Sequence, residues 1–152
     1  MTAALPVRIE IQVLADGVPV PGSLADVSLS MLSKNPHTMV LGPADYAGRI
    51  VASQADLLAR ARRNCSNFVM DYSDLKSHFG GLVEVTPATP SRIIEMEQAY
   101  ERFSPHFEYP ADWPTVLKAA KQWFADHAVR VLVAQVRVVP FEIRVISTEV
   151  RL

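Results

Sequence analysis

Apolar and polar positions alternate from residue 7 onward: Val7, Ile9, Ile11 and Val13 are apolar, and Arg8, Glu10 and Gln12 between them are polar. A period of two buries one face of a strand and leaves the other wet. Asp16-Gly17 then stops the run with two residues that tolerate positive φ, so a tight turn and a second strand are expected. Pro19 and Pro21 have no amide hydrogen to donate, which confines the chain there to a sheet edge or a connection. Val27, Leu29 and Met31 restart the alternation, and Asp45 to Gly48 makes another turn before a strand from Arg49 to Ala52.

From residue 53 the period lengthens. Ser53 with Asp56 reads as a capping pair at the start of an alanine- and leucine-rich helix ending near Arg63. Leu82 to Val85 is a short strand. Thr89 caps a second helix with Pro90 in its first position, and Ile93, Met96, Tyr100 and Phe103 form its apolar stripe. Three prolines between 105 and 114 rule out a long regular element there. A third helix, from Pro114 to His127, follows a cap at Asp112 and gathers Val116, Leu117, Ala120, Trp123 and Phe124 on one side.

The end of the chain is rich in β-branched residues. Val129, Val131 and Val133 are odd-numbered but Val136 and Val138 are even, which implies a bulge near Ala134 or a strand buried on both faces. Two strands should meet near Pro140, with Phe141, Ile143 and Val145 on one side of the second. The expected organisation is one α+β domain over residues 1–152: β-rich at 7–52, helical and loop at 53–127, and β-rich again at 129–151.

The turn residues carry a resemblance. Asp16, Gly17, Pro19 and Gly22 stand as D-G-x-P-x-x-G, and Asp45, Gly48 and Arg49 as D-x-x-G-R. Over about the first third of the chain this pattern resembles the transthyretin-like, or prealbumin-like, sandwich of carboxypeptidase regulatory-like modules. The resemblance implies an antiparallel β-sandwich, here with about three inserted or packed helices. Enzymes of that group that hydrolyse 5-hydroxyisourate end in Tyr-Arg-Gly-Ser. This chain ends Glu149, Val150, Arg151, Leu152, so the resemblance does not extend to their activity.

Composition bounds the partners. With 152 residues, 49% hydrophobic and 20% charged, the chain can bury a sizeable core. A net charge of −1 creates no overall field toward nucleic acid or an anionic membrane. Cys65 is the single cysteine and has no intrachain disulfide partner; the opening M-T-A-A-L-P-V-R is unlike a secretory signal, and no apolar run is long enough to span a bilayer. A cytoplasmic protein with no nucleic-acid partner and no membrane insertion is expected. Alanine, arginine and valine usage suggests a bacterial source.

Three clusters carry candidate chemistry. If residues 71–79 are helical, Asp71, Asp74 and His78 share a face, where two carboxylates and an imidazole can bind a divalent metal or divide acid and base roles. Helix capping accounts for the same residues equally simply. Arg60, Arg62 and Arg63 complement the negative end of the first helix, and Arg60 and Arg63 are candidate contacts for an acidic partner. They also lie near Cys65, whose alternatives are a reactive thiolate and a small buried side chain. Phe107, Tyr109 and Trp113, interspersed with His106, Glu108 and Asp112, either pin a connection to the core or form a recognition surface.

None of the four histidines lies at short metal-ligand spacing from another, and phosphate-loop, dinucleotide, nucleophile-elbow and H-E-x-x-H motifs are missing. No cofactor or metal is therefore expected. The leading expectation is a non-catalytic binding or scaffold module of a bacterial multicomponent system. Its partner is another protein, contacted through Phe107, Tyr109, Trp113, Arg60 and Arg63 and through the sheet edge near Pro19 to Pro21. Homo-oligomerisation by edge pairing fits the same sequence. The alternatives are a small hydrolase or metal-dependent enzyme built on Asp71, Asp74 and His78, and an immunity or inhibitor protein that blocks a toxin.

Overall fold

The computed structural model describes residues 8–29, 37–53, 56, 82–104, 112–139 and 144–152. Strand β1, Arg8–Ala15, follows the alternation of its sequence, with Ile9, Ile11, Val13 and Ala15 buried and the residues between them wetter. Asp16 and Gly17 both adopt positive φ, 50° and 83°, and turn the chain into the two-residue edge strand β2, Val18–Pro19. The Asp16 carboxylate also accepts hydrogen bonds from the Arg130 and Val131 amides at 3.2 and 3.1 Å. One residue thus sets both a hairpin turn and the start of a strand remote in sequence.

Strand β3 is Ala25–Leu29, β4 is His37–Leu41, β5 is Arg49–Ser53 and β6 is Leu82–Pro87. Helices α1, Pro90–Phe103, and α2, Trp113–Asp126, follow, then strands β7, Val131–Val139, β8, Arg144–Ser147, and β9, Glu149–Arg151. One sheet runs β2-β1-β7-β9, with β5 beside β2 on the same flank of β1; the other runs β4-β3-β6-β8. Ile9, Ile11, Ile50, Leu132 and Ala134 from the first sheet and Val27, Met39, Leu41, Val83 and Val85 from the second share one buried cluster. Burial of these side chains is the main favourable term holding the sheets together, about 0.8 kcal/mol per buried methylene. The architecture is α+β, with two sheets on a common core, compatible with a β-sandwich.

Several expectations need correction. Pairing is not wholly antiparallel, because β6 and β8 run parallel, Leu82 opposite Arg144. Strand β7 contains no bulge: its register with β1 is unbroken from Arg8 opposite Val139 to Ala15 opposite Leu132. The parity conflict resolves because Leu132, Ala134 and Val138 face the core while Val131 and Val133 lie half-buried on the other face. Two strands flank position 140 as expected, β7 ending at Val139 and β8 beginning at Arg144, and they belong to different sheets. Two helices are seen among the described residues where about three were expected. Of the first, Ser53 and Asp56 are described, and they exchange backbone-to-side-chain hydrogen bonds of 3.1 Å in both directions, the reciprocal pattern of a helix cap. Residues 57–63 lie outside the described residues.

Helix α1 begins as its sequence dictates. The Thr89 hydroxyl accepts a hydrogen bond from the Arg92 amide at 3.2 Å, and Pro90 occupies the first turn, where no amide donor is missed. Thr89→Ala is expected to lower stability by about 1 kcal/mol in urea unfolding, whereas an effect within experimental error would show the cap to be dispensable. At the start of α2, by contrast, Asp112 makes no side-chain cap bond. Ile93 and Met96 of α1 join Trp113, Val116, Leu117 and Ala120 of α2 in a second buried cluster with Leu24 and Ala88.

Charge ties this helical layer to the second sheet. The Arg92 guanidinium lies 3.1 Å from Asp26 on β3 and 3.3 Å from Glu95. Partial burial alone pulls the Arg92 pKa down, but hydrogen bonding and charge from Asp26, then Glu95, outweigh it and leave it raised. The guanidinium therefore stays charged across any working pH. Lys121 and Glu97, 3.1 Å apart, join the two helices. At the end of α2 the His127 ring stacks on Trp123, centroids 4.1 Å apart, with its Nδ1 2.7 Å from the Trp123 carbonyl oxygen. That histidine acts as the helix stop expected from its position.

Candidate functional site

The wet face of the first sheet gathers residues far apart in the chain. Strand β1 is flanked by β5 and β7, so side chains at opposed register positions form rows across three strands. One row is Arg49, Gln12 and Gln135; the next is Val51, Glu10 and Arg137; a third brings Ser53, Arg8 and Val139 together. Beyond them, β9 sets Glu149 opposite Val133 and Arg151 opposite Val131. A depression of about 310 Å³ opens over the first two rows, lined by Glu10, Gln12, Arg49, Val51, Gln135 and Arg137.

Each member is positioned by local structure. Arg49 begins β5 directly after a turn in which the Asp45 carboxylate accepts hydrogen bonds from the Ala47 and Arg49 amides, 2.9 and 3.0 Å. Gln12 donates to the Ala47 carbonyl oxygen at 3.1 Å, fastening that turn to β1. Gly48 closes the turn at φ 74°. Tyr46, in the braced turn, is 90% exposed, and Val51 is 60% exposed within the depression. Val51 is thus an exposed apolar side chain rimmed by the polar residues of the two rows.

Charge on this face is asymmetric. Arg8, Arg49, Arg137 and Arg151 stand against Glu10 and Glu149, an excess of two positive charges, although the whole chain carries −1. Glu10 is shared by two cations, Arg8 at 3.2 Å and Arg137 at 3.6 Å, and Arg151 pairs with Glu149 at 3.4 Å. Among the described residues the Arg49 guanidinium has no ion-pair partner. It stands exposed next to two neutral amides, Gln12 and Gln135, which can donate and accept.

The residues singled out from sequence fall elsewhere. Asp71, Asp74 and His78, Cys65, Arg60 and Arg63, and Phe107 and Tyr109 all lie outside the described residues. No group of three His, Cys, Asp or Glu side chains is placed to hold a metal ion among the described residues. Trp113 is described, and it is 7% exposed inside the second core cluster, which leaves its ring little surface for a partner. The expected sheet edge near Pro19 is present, with Val18 63% exposed on β2.

Sequence reasoning identified Arg8, Glu10 and Gln12 as a wet face but missed the site, since only the register brings residues 49, 51, 135 and 137 beside them. No helix among the described residues is long and apolar enough to cross a membrane. Comparison with protein-family models, curated proteins and solved structures finds no match for the chain.

Proposed function

We propose that this protein is a non-catalytic binding module, a transthyretin-like sandwich in type, that docks onto another protein through the outer face of its first sheet. The observation that carries the reading is Val51 held in water within an arginine- and glutamine-lined depression, next to a braced turn that exposes Tyr46. Exposed apolar side chains rimmed by polar groups on regular structure are what a protein interface uses: rigid contacts lose little entropy on association. The depression lies open on a sheet face, where it can receive one or two partner side chains. The transthyretin-like assignment rests on the turn residues, with Asp16, Gly17, Gly22 and Gly48 all at positive φ where the D-G-x-P-x-x-G and D-x-x-G-R patterns need them. A cytoplasmic setting in a bacterial multicomponent system belongs to the same proposal.

The test is a pair of conservative surface truncations. Val51→Ser with Tyr46→Ser is expected to weaken retention of a cognate partner at least about tenfold while leaving unfolding within about 1 kcal/mol of the parent. Ile94→Ser, which alters a 45% exposed residue on α1, is the control and should retain the partner. Equal loss from both would move the interface away from this sheet face.

A further inference from the structure

We infer that the partner presents carboxylate side chains, so that the outer face of the first sheet recognises an acidic protein segment; the inference rests on the docking reading above. The local charge is the warrant. Four arginines against two glutamates give this face the sign opposite to that of the whole molecule. The glutamates are already engaged: Glu10 by Arg8 and Arg137, Glu149 by Arg151. Asp45, the nearest other carboxylate in sequence, is turned to the Ala47 and Arg49 amides. The exposed Arg49 guanidinium makes no ion pair among the described residues, and the planar fork of its donors matches a carboxylate.

Gln12 and Gln135 occupy the same row as Arg49 and supply neutral donors to the second oxygen of a bound carboxylate without adding repulsion. Arg137 lies one row along and two strands over, roughly 12 Å from Arg49 at Cα by ordinary strand spacing. Two long guanidinium side chains at that separation can take carboxylates from alternate residues of an extended segment, while Val51, in the row of Glu10 and Arg137, accepts its apolar part. Small inorganic anions would engage Arg49 alone and leave the rest of the row unused.

The experiment is an amide NMR titration of the full chain with a short peptide alternating glutamate and serine, beside the same peptide with glutamine for glutamate. Progressive shifts at Gln12, Arg49, Val51, Gln135 and Arg137 with the glutamate peptide only are expected. Arg49→Glu combined with Arg137→Glu should lower the affinity about tenfold or more, and rising salt should lower it in the parent. Both variants alter exposed side chains, and unchanged amide dispersion outside the face will show that the fold persists. Equal shifts from both peptides would overturn the inference and leave the docking face standing. No shift on this face with the glutamate peptide would overturn it as well, and the truncation test of Val51 and Tyr46 then decides separately whether the face docks a partner at all.

Discussion

Trp113→Ala is expected to lower stability by about 3 to 5 kcal/mol, the largest single effect anticipated in this chain. Trp113 is 7% exposed and joins Leu24, Ala88, Ile93, Met96, Val116, Leu117 and Ala120 in the cluster beneath the helices. Truncation removes most of an indole from a packed site and leaves a void bounded by both helices and the second sheet, which cannot collapse without moving them. The melting midpoint should fall by roughly 6 to 12 °C or more, and Trp113→Phe should recover part of the loss. A Trp113→Ala protein that melts with the parent but loses its partner would place the ring at an interface and contradict its position in the core.

The second large effect is at Gly48. A Cβ there would lie 2.8 Å from the Val13 carbonyl oxygen and 2.9 Å from the Val20 amide nitrogen, the two atoms that form a 3.0 Å hydrogen bond with each other. The added methyl would wedge that bond apart, in a residue already at φ 74°. Strain and the lost bond together are expected to cost about 3 kcal/mol for Gly48→Ala. Gly17 supplies the comparison: its φ of 83° is equally left-handed, but nothing lies within 4 Å of its Cβ position. Gly17→Ala should cost only about 1 kcal/mol. Equal costs in urea unfolding would mean that backbone conformation alone, without the close approach to β1, sets the requirement at Gly48.

This pair of glycines also shows what a sequence reveals. Both belong to turn motifs that were legible from local residue chemistry, and so were β1, β5, the Thr89 cap and the Ile93 and Met96 end of the α1 stripe, whereas Phe103 at its other end is 38% exposed. These features are local, with residue preferences acting within a few positions. The start of α2 was placed one residue late: with the helix begun at Pro114, Trp113 fell into a proline-rich connection, and packing on the core stood as only one of its two readings. Starting the helix at 113 sets it at the head of the stripe Trp113, Val116, Leu117, Ala120. Strand β4 was missed because Met39, Val40 and Leu41 run together without a polar residue, so no period of two shows, although Met39 and Leu41 are the ones buried.

The rest was non-local. Which sheet receives β7 and which receives β8, and the parallel pairing of β8 with β6, depend on contacts spanning much of the chain. The candidate site is of this kind. Gln12, Arg49 and Gln135 are ordinary solvated strand residues until the β5-β1-β7 register lines them up. Their individual identities carry no motif; the charge excess and the braced exposure of Val51 and Tyr46 emerge only on the assembled face.

The account stands on that face being where the protein meets its partner. The direct measurement is site-specific photocrosslinking in native lysate, with the photoreactive residue placed at Val51, at Gln135 or at Ile94 of the full chain, followed by sequencing of the crosslinked segment. The expected result is one protein captured from positions 51 and 135 but not 94, through the same acidic segment, and lost when Arg49→Glu and Arg137→Glu are combined. Capture from position 94 alone, or equal capture from all three, would contradict the assignment of the outer sheet face as the binding surface.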